Sequence, residues 1–364
     1  MRHDDLPTLD LLPPDIASIE TIAILRQVAK SSLAIAELKG VAETMPDQKM
    51  LVNAIILKEA KDSSEIENII TSTDELYVAL NASSTQVSQE TKEVVSYRRS
   101  IMMGYELLSR QGFLRVNDII AIQKDLIQND AGLRTTPGTV LKNDRTGEVV
   151  YTPPQHIEEI NELLSNFIQY FNDANLRQGA SPLIWLAVLH YQFESIHPFY
   201  DGNGRTGRIL NILYLIMNNL LDIPILYLSS YIIRHKREYY RLLNQLNRGG
   251  SWEPWIIFML SAVEETSVST MNQIKQINGL LNDTIESARQ LTPKIYSKEL
   301  IELLFEQPYS KIEYVVGRLG VERKTASRYL SKLEAVGILE RKRVGKEYLF
   351  INKALLQLLK NEAA

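Results

Sequence analysis

His197-Pro198-Phe199-Tyr200-Asp201-Gly202-Asn203-Gly204-Arg205-Thr206-Gly207-Arg208 is the stretch on which the reading of this chain turns. The apolar helical run before it must stop at His197, because a residue preceding proline is pushed out of the α region. Asp201-Gly202-Asn203-Gly204 then reads as a loop, and from Arg205 a helix resumes through Ile209, Leu210, Ile212 and Leu213. A glycine loop feeding a helix start points free N–H groups and the positive end of the macrodipole at one spot, which makes an anion site. Arg205 and Arg208 lie three apart on the first turn, where planar guanidinium groups can grip phosphate oxygens. Asp201 offers a hard oxygen for a Mg²⁺ that accompanies a triphosphate. His197, with an ordinary pKa of about 6.5, can take a hydroxyl proton at neutral pH. A lone His before Pro is more often structural, and a lone Gly-Asn-Gly is usually only a turn. Their coincidence with Asp201, Arg205 and Arg208 describes attack of a hydroxyl on a phosphate. A zinc site through His190 and His197 is a poor alternative, since seven residues put them two turns apart with no third ligand near.

Outward from this segment the chain reads as mainly α. Periodic stretches cover 16–41, 48–63, 86–110, 116–129, 154–172, 181–195 and 205–220. The break falls at 132–154. There Leu133-Arg134-Thr135-Thr136-Pro137-Gly138-Thr139-Val140-Leu141 is followed by the polar Lys142-Asn143-Asp144-Arg145-Thr146-Gly147 and then Glu148-Val149-Val150-Tyr151, which reads as a β-hairpin. At 364 residues two or three domains are expected. The absence of cysteine excludes a disulfide framework and thiolate metal sites. No uninterrupted apolar stretch of about 20 residues argues for a membrane span. The acidic, Pro-rich opening carries no secretory pattern, so a cytoplasmic protein with no membrane partner is expected.

The segment His197–Arg208 resembles the signature of the Fic family, HPFx(D/E)GNGRxxR, without a departure. The resemblance covers roughly 116–267 together with an element upstream. It implies a protein adenylyltransferase that moves AMP from ATP to a Ser, Thr or Tyr hydroxyl of a target protein or of itself, releasing pyrophosphate. His197 would be the base and Asp201 the Mg²⁺ ligand. Gly202, Asn203, Gly204, Arg205, Thr206, Gly207 and Arg208 would hold the nucleotide phosphates. The hairpin, with Thr139, Val140, Leu141 and Lys142, would be the flap that covers ATP and adds a strand to the target. Family flaps commonly carry Gly where this chain has Leu141-Lys142. Tyr239, Tyr240 and Asn247 resemble the adenine-side element, against the plainer reading of half-buried helix residues; Trp252 and Trp255 are expected in the core.

Ser63-Ser64-Glu65-Ile66-Glu67-Asn68 resembles the family's inhibitory motif, (S/T)xxxE(G/N). Ser63 and Glu67 share a helical face, and a carboxylate offered to Arg208 would fill the γ-phosphate position. The inhibitory residues are thus Ser63, Glu67 and Asn68, with Glu67 also at the edge of the ATP site. The motif leaves a second chemistry open, in which Glu67 positions a water and the enzyme removes AMP from modified protein. The resemblance also implies a homodimer that regulates Glu67.

Beyond Thr292-Pro293 the pattern changes. Helical patterns at 297–306, 311–318 and 323–335, then a β-like pair at 338–342 and 347–351, form the winged helix-turn-helix arrangement. From 294 to 352 the chain carries 12 Lys/Arg against 8 Asp/Glu, about +4, leaving about −8 elsewhere. Arg323, Lys324, Thr325 and Arg328 would face outward, with Arg341, Lys342, Arg343 and Lys346 along the wing, a surface suited to DNA. The rival reading of the whole chain is a DNA-binding regulator that responds to nucleotide. The expected domains are an N-terminal helical region at 1–115, a catalytic core at 116–290 and the winged helix at 291–364.

Overall fold

The computed structural model describes residues 9–81, 87–142, 147–345 and 347–360. The N-terminal part holds α1 (Ile16–Ile19), α2 (Ile22–Ala42), α3 (Gln48–Ile66), α4 (Thr73–Asn81) and α5 (Gln89–Gln111). The expected single helix over 16–41 is broken at Glu20-Thr21, because the Thr21 hydroxyl accepts the Ile24 N–H and starts α2 afresh. Asp47 and Ser88 cap α3 and α5 in the same way. Next come α6 (Val116–Ile127), the strands β1 (Leu141–Lys142) and β2 (Val149–Tyr151), α7 (Ile157–Asn172), α8 (Pro182–Ile196) and α9 (Asn203–Met217). They are followed by α10 (Leu228–Arg234), α11 (Lys236–Asn247) and α12 (Trp252–Leu291).

The axis of the core is α8. Every residue from Leu183 to Ile196 is buried, so this helix has no solvent face. Such a helix must be surrounded, and α2, α7, α9 and α12 pack around it. Arg177 supports one end from full burial, donating to Tyr170 O, Phe171 O and Asn218 Oδ1. The flap is slight: Leu141 pairs with Tyr151 and Lys142 with Val149 across an irregular register. Thr139 and Val140 precede β1 as half-buried coil, and the turn 143–146 lies outside the described residues. Trp255 is in the core as expected, donating its indole N–H to Ala187 O, and Trp252 packs half-buried against it.

The C-terminal module comprises α13 (Lys298–Leu303), β3 (Tyr309–Ser310), α14 (Ile312–Leu319), α15 (Arg323–Ala335), β4 (Glu340–Val344), β5 (Glu347–Ile351) and α16 (Lys353–Lys360). Its sheet has the order β3-β5-β4, all antiparallel, so the expected hairpin gains a third strand. Two residues after Pro308 were too short a strand to leave a pattern. The module leans on the N-terminal helices: Tyr309 stacks on Tyr77 at 5.6 Å and donates to Asp74, while Asn53 donates to Glu306 O. On its outer surface Lys324, Arg328, Lys342 and Arg343 are exposed, whereas Arg323 pairs with Glu313 and Arg341 with Glu334. Lys346 lies outside the described residues. No helix among the described residues is long and apolar enough to cross a membrane.

Candidate active site

The site forms where α8 ends and α9 begins. His197 is the C-cap of α8, with φ 48°, in the left-handed region that a non-glycine residue occupies at some cost. Arg134 holds it there. Its guanidinium, 1 % exposed, donates to His197 O (2.7 Å), Pro154 O (2.9 Å) and Ile196 O (3.3 Å), and its N–H donates to Pro198 O. Burial, then the Arg134 charge, pull the His197 imidazole down to about 4. The ring is therefore neutral at physiological pH and able to accept a proton. Tyr200 ties the same loop to the flap's base, its hydroxyl receiving the Thr135 N–H at 3.0 Å and the Thr136 N–H at 3.3 Å.

Gly202, at φ 80°, is the N-cap of α9, a conformation that favours glycine. Asn203 braces the loop from inside, its side chain accepting the Phe199 N–H and donating to Phe199 O, both at 2.8 Å. Thr206 is wholly buried and its N–H already bonds Gly202 O. Gly207 is likewise buried in α9. Free N–H groups in the first turn of a helix are those without an acceptor one turn back, here Asn203, Gly204 and Arg205. The backbone N–H groups of 203–205 are thus free at the start of α9, while Thr206 and Gly207 lie buried in the same helix. The Asp201 carboxylate stands at the rim, 66 % exposed, with Oδ1 accepting the Gly202 N–H at 2.6 Å. Gln123 steadies it by donating to Asp201 O.

Both arginines of the segment are buried and both meet a carboxylate from the N-terminal helices. Arg208, 2 % exposed, pairs through Nη2 with Glu67 Oε1 at 2.8 Å. It also donates from Nε to Ser63 Oγ (2.7 Å) and from Nη2 to Ser63 O (2.9 Å). That carbonyl is free because α3 tightens at its end: the Glu67 N–H turns to Ser64 O instead. Asn68 completes the turn at φ 62°, a conformation Asn tolerates better than most residues. A Cβ on Gly204 would press on the Glu67 carboxylate, so this glycine is what lets Glu67 reach Arg208 across the loop. Burial pushes the Glu67 carboxyl up, but Arg208 outweighs it and the net shift is downward. Arg205, 3 % exposed, pairs with Glu93 of α5 at 3.0 Å and lies 3.5 Å from Asp201.

Two further carboxyls crowd Arg208. Burial pushes Glu59 and Glu194 each up to about 7, with the Arg208 charge opposing in both. Glu59 is held by Ser229 and by the Tyr97 hydroxyl. None of Glu59, Glu93, Arg134 and Glu194 was found by sequence reasoning. Arg134 had a signal of sorts, standing just before the hairpin, but the others are single acidic residues in amphipathic helices.

The expected adenine-side residues divide. Tyr239 is buried, its hydroxyl bonded to His190 Nε2 at 2.9 Å and its ring packed against Trp255, so it offers no open face to a base. Tyr240 is 42 % exposed beside it. Asn247 accepts from the Ser195 hydroxyl at 3.0 Å. His190, held neutral by burial at about 3, is a core residue bonded to Tyr239 and Asn211. Among the described residues no group of His, Cys, Asp or Glu is arranged as a multi-ligand metal cluster.

Three stretches of the chain match known family models. Residues 113–215 match the model described as Fic/DOC family, 25–106 that of the Fic/DOC family N-terminal region, and 280–355 the C-terminal domain of SoFic-like protein adenylyltransferase. A protein adenylyltransferase Fic of Nematostella vectensis is 32 % identical over 114 residues, 30 % of this chain and 25 % of that protein. A probable protein adenylyltransferase of Aquifex aeolicus is 30 % identical over 155 residues, 41 % of this chain and 43 % of that protein. The chain therefore spans less than half the length of these relatives. In fold it is similar to a Fic family protein of Desulfovibrio desulfuricans, with TM-score 0.57, 20 % identity and coverage of 91 % and 96 %. It is similar also to Fic-1 of C. elegans, with TM-score 0.54, 19 % identity and coverage of 69 % and 74 %.

Proposed function

We propose that this chain, which belongs to the Fic/DOC family, transfers AMP from ATP to a Ser, Thr or Tyr hydroxyl of a protein and is held at rest by Glu67. The observation that carries this reading is Arg208, buried beside an anion-binding helix start and already gripped by Ser63 and Glu67. Such a guanidinium is built to hold a dense negative charge. A carboxylate now stands where the terminal phosphate of ATP would go.

In the reaction, N–H groups at 203–205 orient the α-phosphate, and Arg205 and Arg208 hold the β- and γ-phosphates. His197 accepts the proton as the acceptor oxygen bonds to the α-phosphorus. The bond from that phosphorus to the bridging oxygen breaks, and pyrophosphate leaves. Neutral His197 needs no prior deprotonation at physiological pH. Asp201 suits Mg²⁺ as a single exposed carboxylate at the rim, since this ion takes one or two carboxylates plus phosphates. Bound there, the ion would neutralise phosphate charge. Val140, Leu141 and Lys142 would cover the nucleotide and present a strand edge to the target. On the base side, stacking falls to Tyr240, with Tyr239 as its backing.

The test is the source of the label. Glu67→Gly protein incubated with Mg²⁺ and ATP labelled at the α-phosphorus should become labelled, and ATP labelled at the γ-phosphorus should give nothing. Adding His197→Ala should remove at least about 99 % of the rate. Label arriving from the γ-position would sink the proposal.

A further inference from the structure

The helix that carries Ser63 and Glu67, α3, ends with the wrong charge. Its last turn holds Glu65, its C-cap is Glu67, and no basic residue stands in that turn. This is the negative end of the helix dipole, where carboxylates favour unwinding. Lys61 answers Glu65 at 3.2 Å but stands a turn too early to reach the final carbonyls. The closing bonds gather on two acceptors: the Glu67 and Ile69 N–H groups both turn to Ser64 O, and the Asn68 N–H to Glu65 O. The Ile66 carbonyl is one of the last four of the helix, which find no partner within it.

A cation from another helix meets both deficits. Lys236, the first residue of α11, donates from Nζ to Ile66 O at 2.6 Å, and the same ammonium lies 3.4 Å from Asn68 Oδ1. At the start of its own helix a lysine is misplaced, because that end of the dipole is positive. The stability of α11 therefore gives no reason for this residue, whereas the end of α3 does. Its position is braced from behind. α10, which leads into α11, packs on α3, and Ser229 donates its N–H to Glu59, one turn before Ser63, at 3.1 Å.

We propose that Lys236 is the latch of the brake, a positioning residue that pins the last turn of α3 and so keeps Glu67 on Arg208. The inference rests on the reading of Glu67 as inhibitory and adds the residue that sets how often Glu67 lets go. Among the described residues the hydrogen bonds of Lys236 go to the end of α3 and its turn. Its loss should therefore be felt only while Glu67 is present.

Amide hydrogen exchange and initial rates of AMP incorporation, both on the full chain, test it. Lys236→Met removes the donor and the charge but keeps an unbranched side chain of similar length. Without nucleotide, the amides of Glu67, Asn68 and Ile69 should then exchange at least about threefold faster, while those of Ile55 and Ile56 stay as they were. AMP incorporation from α-labelled Mg·ATP should rise at least about threefold, by less than Glu67→Gly raises it. Lys236→Arg, which keeps a donor and a charge, should stay within about twofold of wild type in both measurements. In the Glu67→Gly background, Lys236→Met should change neither kcat nor KM for ATP. Unchanged exchange at 67–69 overturns the latch. So does faster exchange with an unchanged rate where Glu67→Gly raises it, or an equal effect in both backgrounds. If Glu67→Gly itself raises nothing, the brake reading fails, and the exchange result alone decides whether Lys236 pins the turn.

Discussion

The two buried arginines at the start of α9 are paired by different means. On the α3 side, Arg208 is held by the Ser63 hydroxyl, the Ser63 carbonyl and the Glu67 carboxylate, all within the last turn of one helix. On the α5 side, Arg205 meets Glu93, which stands in the second turn of α5, just inside the Ser88 cap. A helix end can be displaced by local fraying, and Glu93 stands one turn further in, on a helix that starts at the Ser88 cap and packs on α3, α6 and α9. The difference separates a more readily released contact from a firmer one. Arg208 is the side whose partners sit at a helix end.

The comparison is tested most harshly at Arg208 itself. Arg208→Ala strips the counter-charge from Glu67 and from the buried Glu59 and Glu194. It should cost about 3 kcal/mol of stability by urea denaturation, and at least a hundredfold in AMP transfer when made in the Glu67→Gly background. A variant as stable and active as its parent would show that Arg208 is no pivot.

Glu93→Gln should do far less. Glu93 is 31 % exposed, so the pair is partly screened and worth about 1 kcal/mol or less. In the Glu67→Gly background, KM for ATP should fall about two- to fivefold with kcat unchanged, as Arg205 gains freedom for phosphate. A rise in rate as large as that from Glu67→Gly would erase the distinction between the two sides.

The smallest effect concerns pH. The folded Glu67 carboxyl lies below its ordinary 4.5. The ion pair is therefore complete above that value and is lost only as pH falls through the lower folded one. His197, at about 4, is also neutral across this range. The activity ratio of Glu67→Gly to wild type should stay level from about pH 8 to about pH 5.5. A steep change near neutrality would implicate Glu59 or Glu194, which burial holds at about 7.

Much of this was legible in the residues. The segment from His197 to Arg208 dictates its own geometry: proline ends α8, glycine starts α9, and the arginine spacing follows the helical turn. The Ser63 and Glu67 pairing was legible too, because spacing along one helix fixes which side chains share a face. Partners distant in sequence were not. Glu93 is 112 residues from Arg205 with nothing local to mark it, and Arg134 is 63 from His197, marked only by its place before the hairpin. The burial of Tyr239 was not legible, because an aromatic pair has the same pattern whether its rings face a ligand or the core. Thr206 and Gly207 lie inside the motif and are buried in the first turn of α9. Strand β3 escaped notice because two residues carry no period.

The central claim is that Glu67 holds Arg208 away from ATP. The most direct measurement is the initial rate of AMP incorporation from α-labelled Mg·ATP by wild type and by Glu67→Gly, at equal protein concentration. Breaking a contact of this kind should raise the rate at least about tenfold. Equal rates, or a slower variant, would contradict the account.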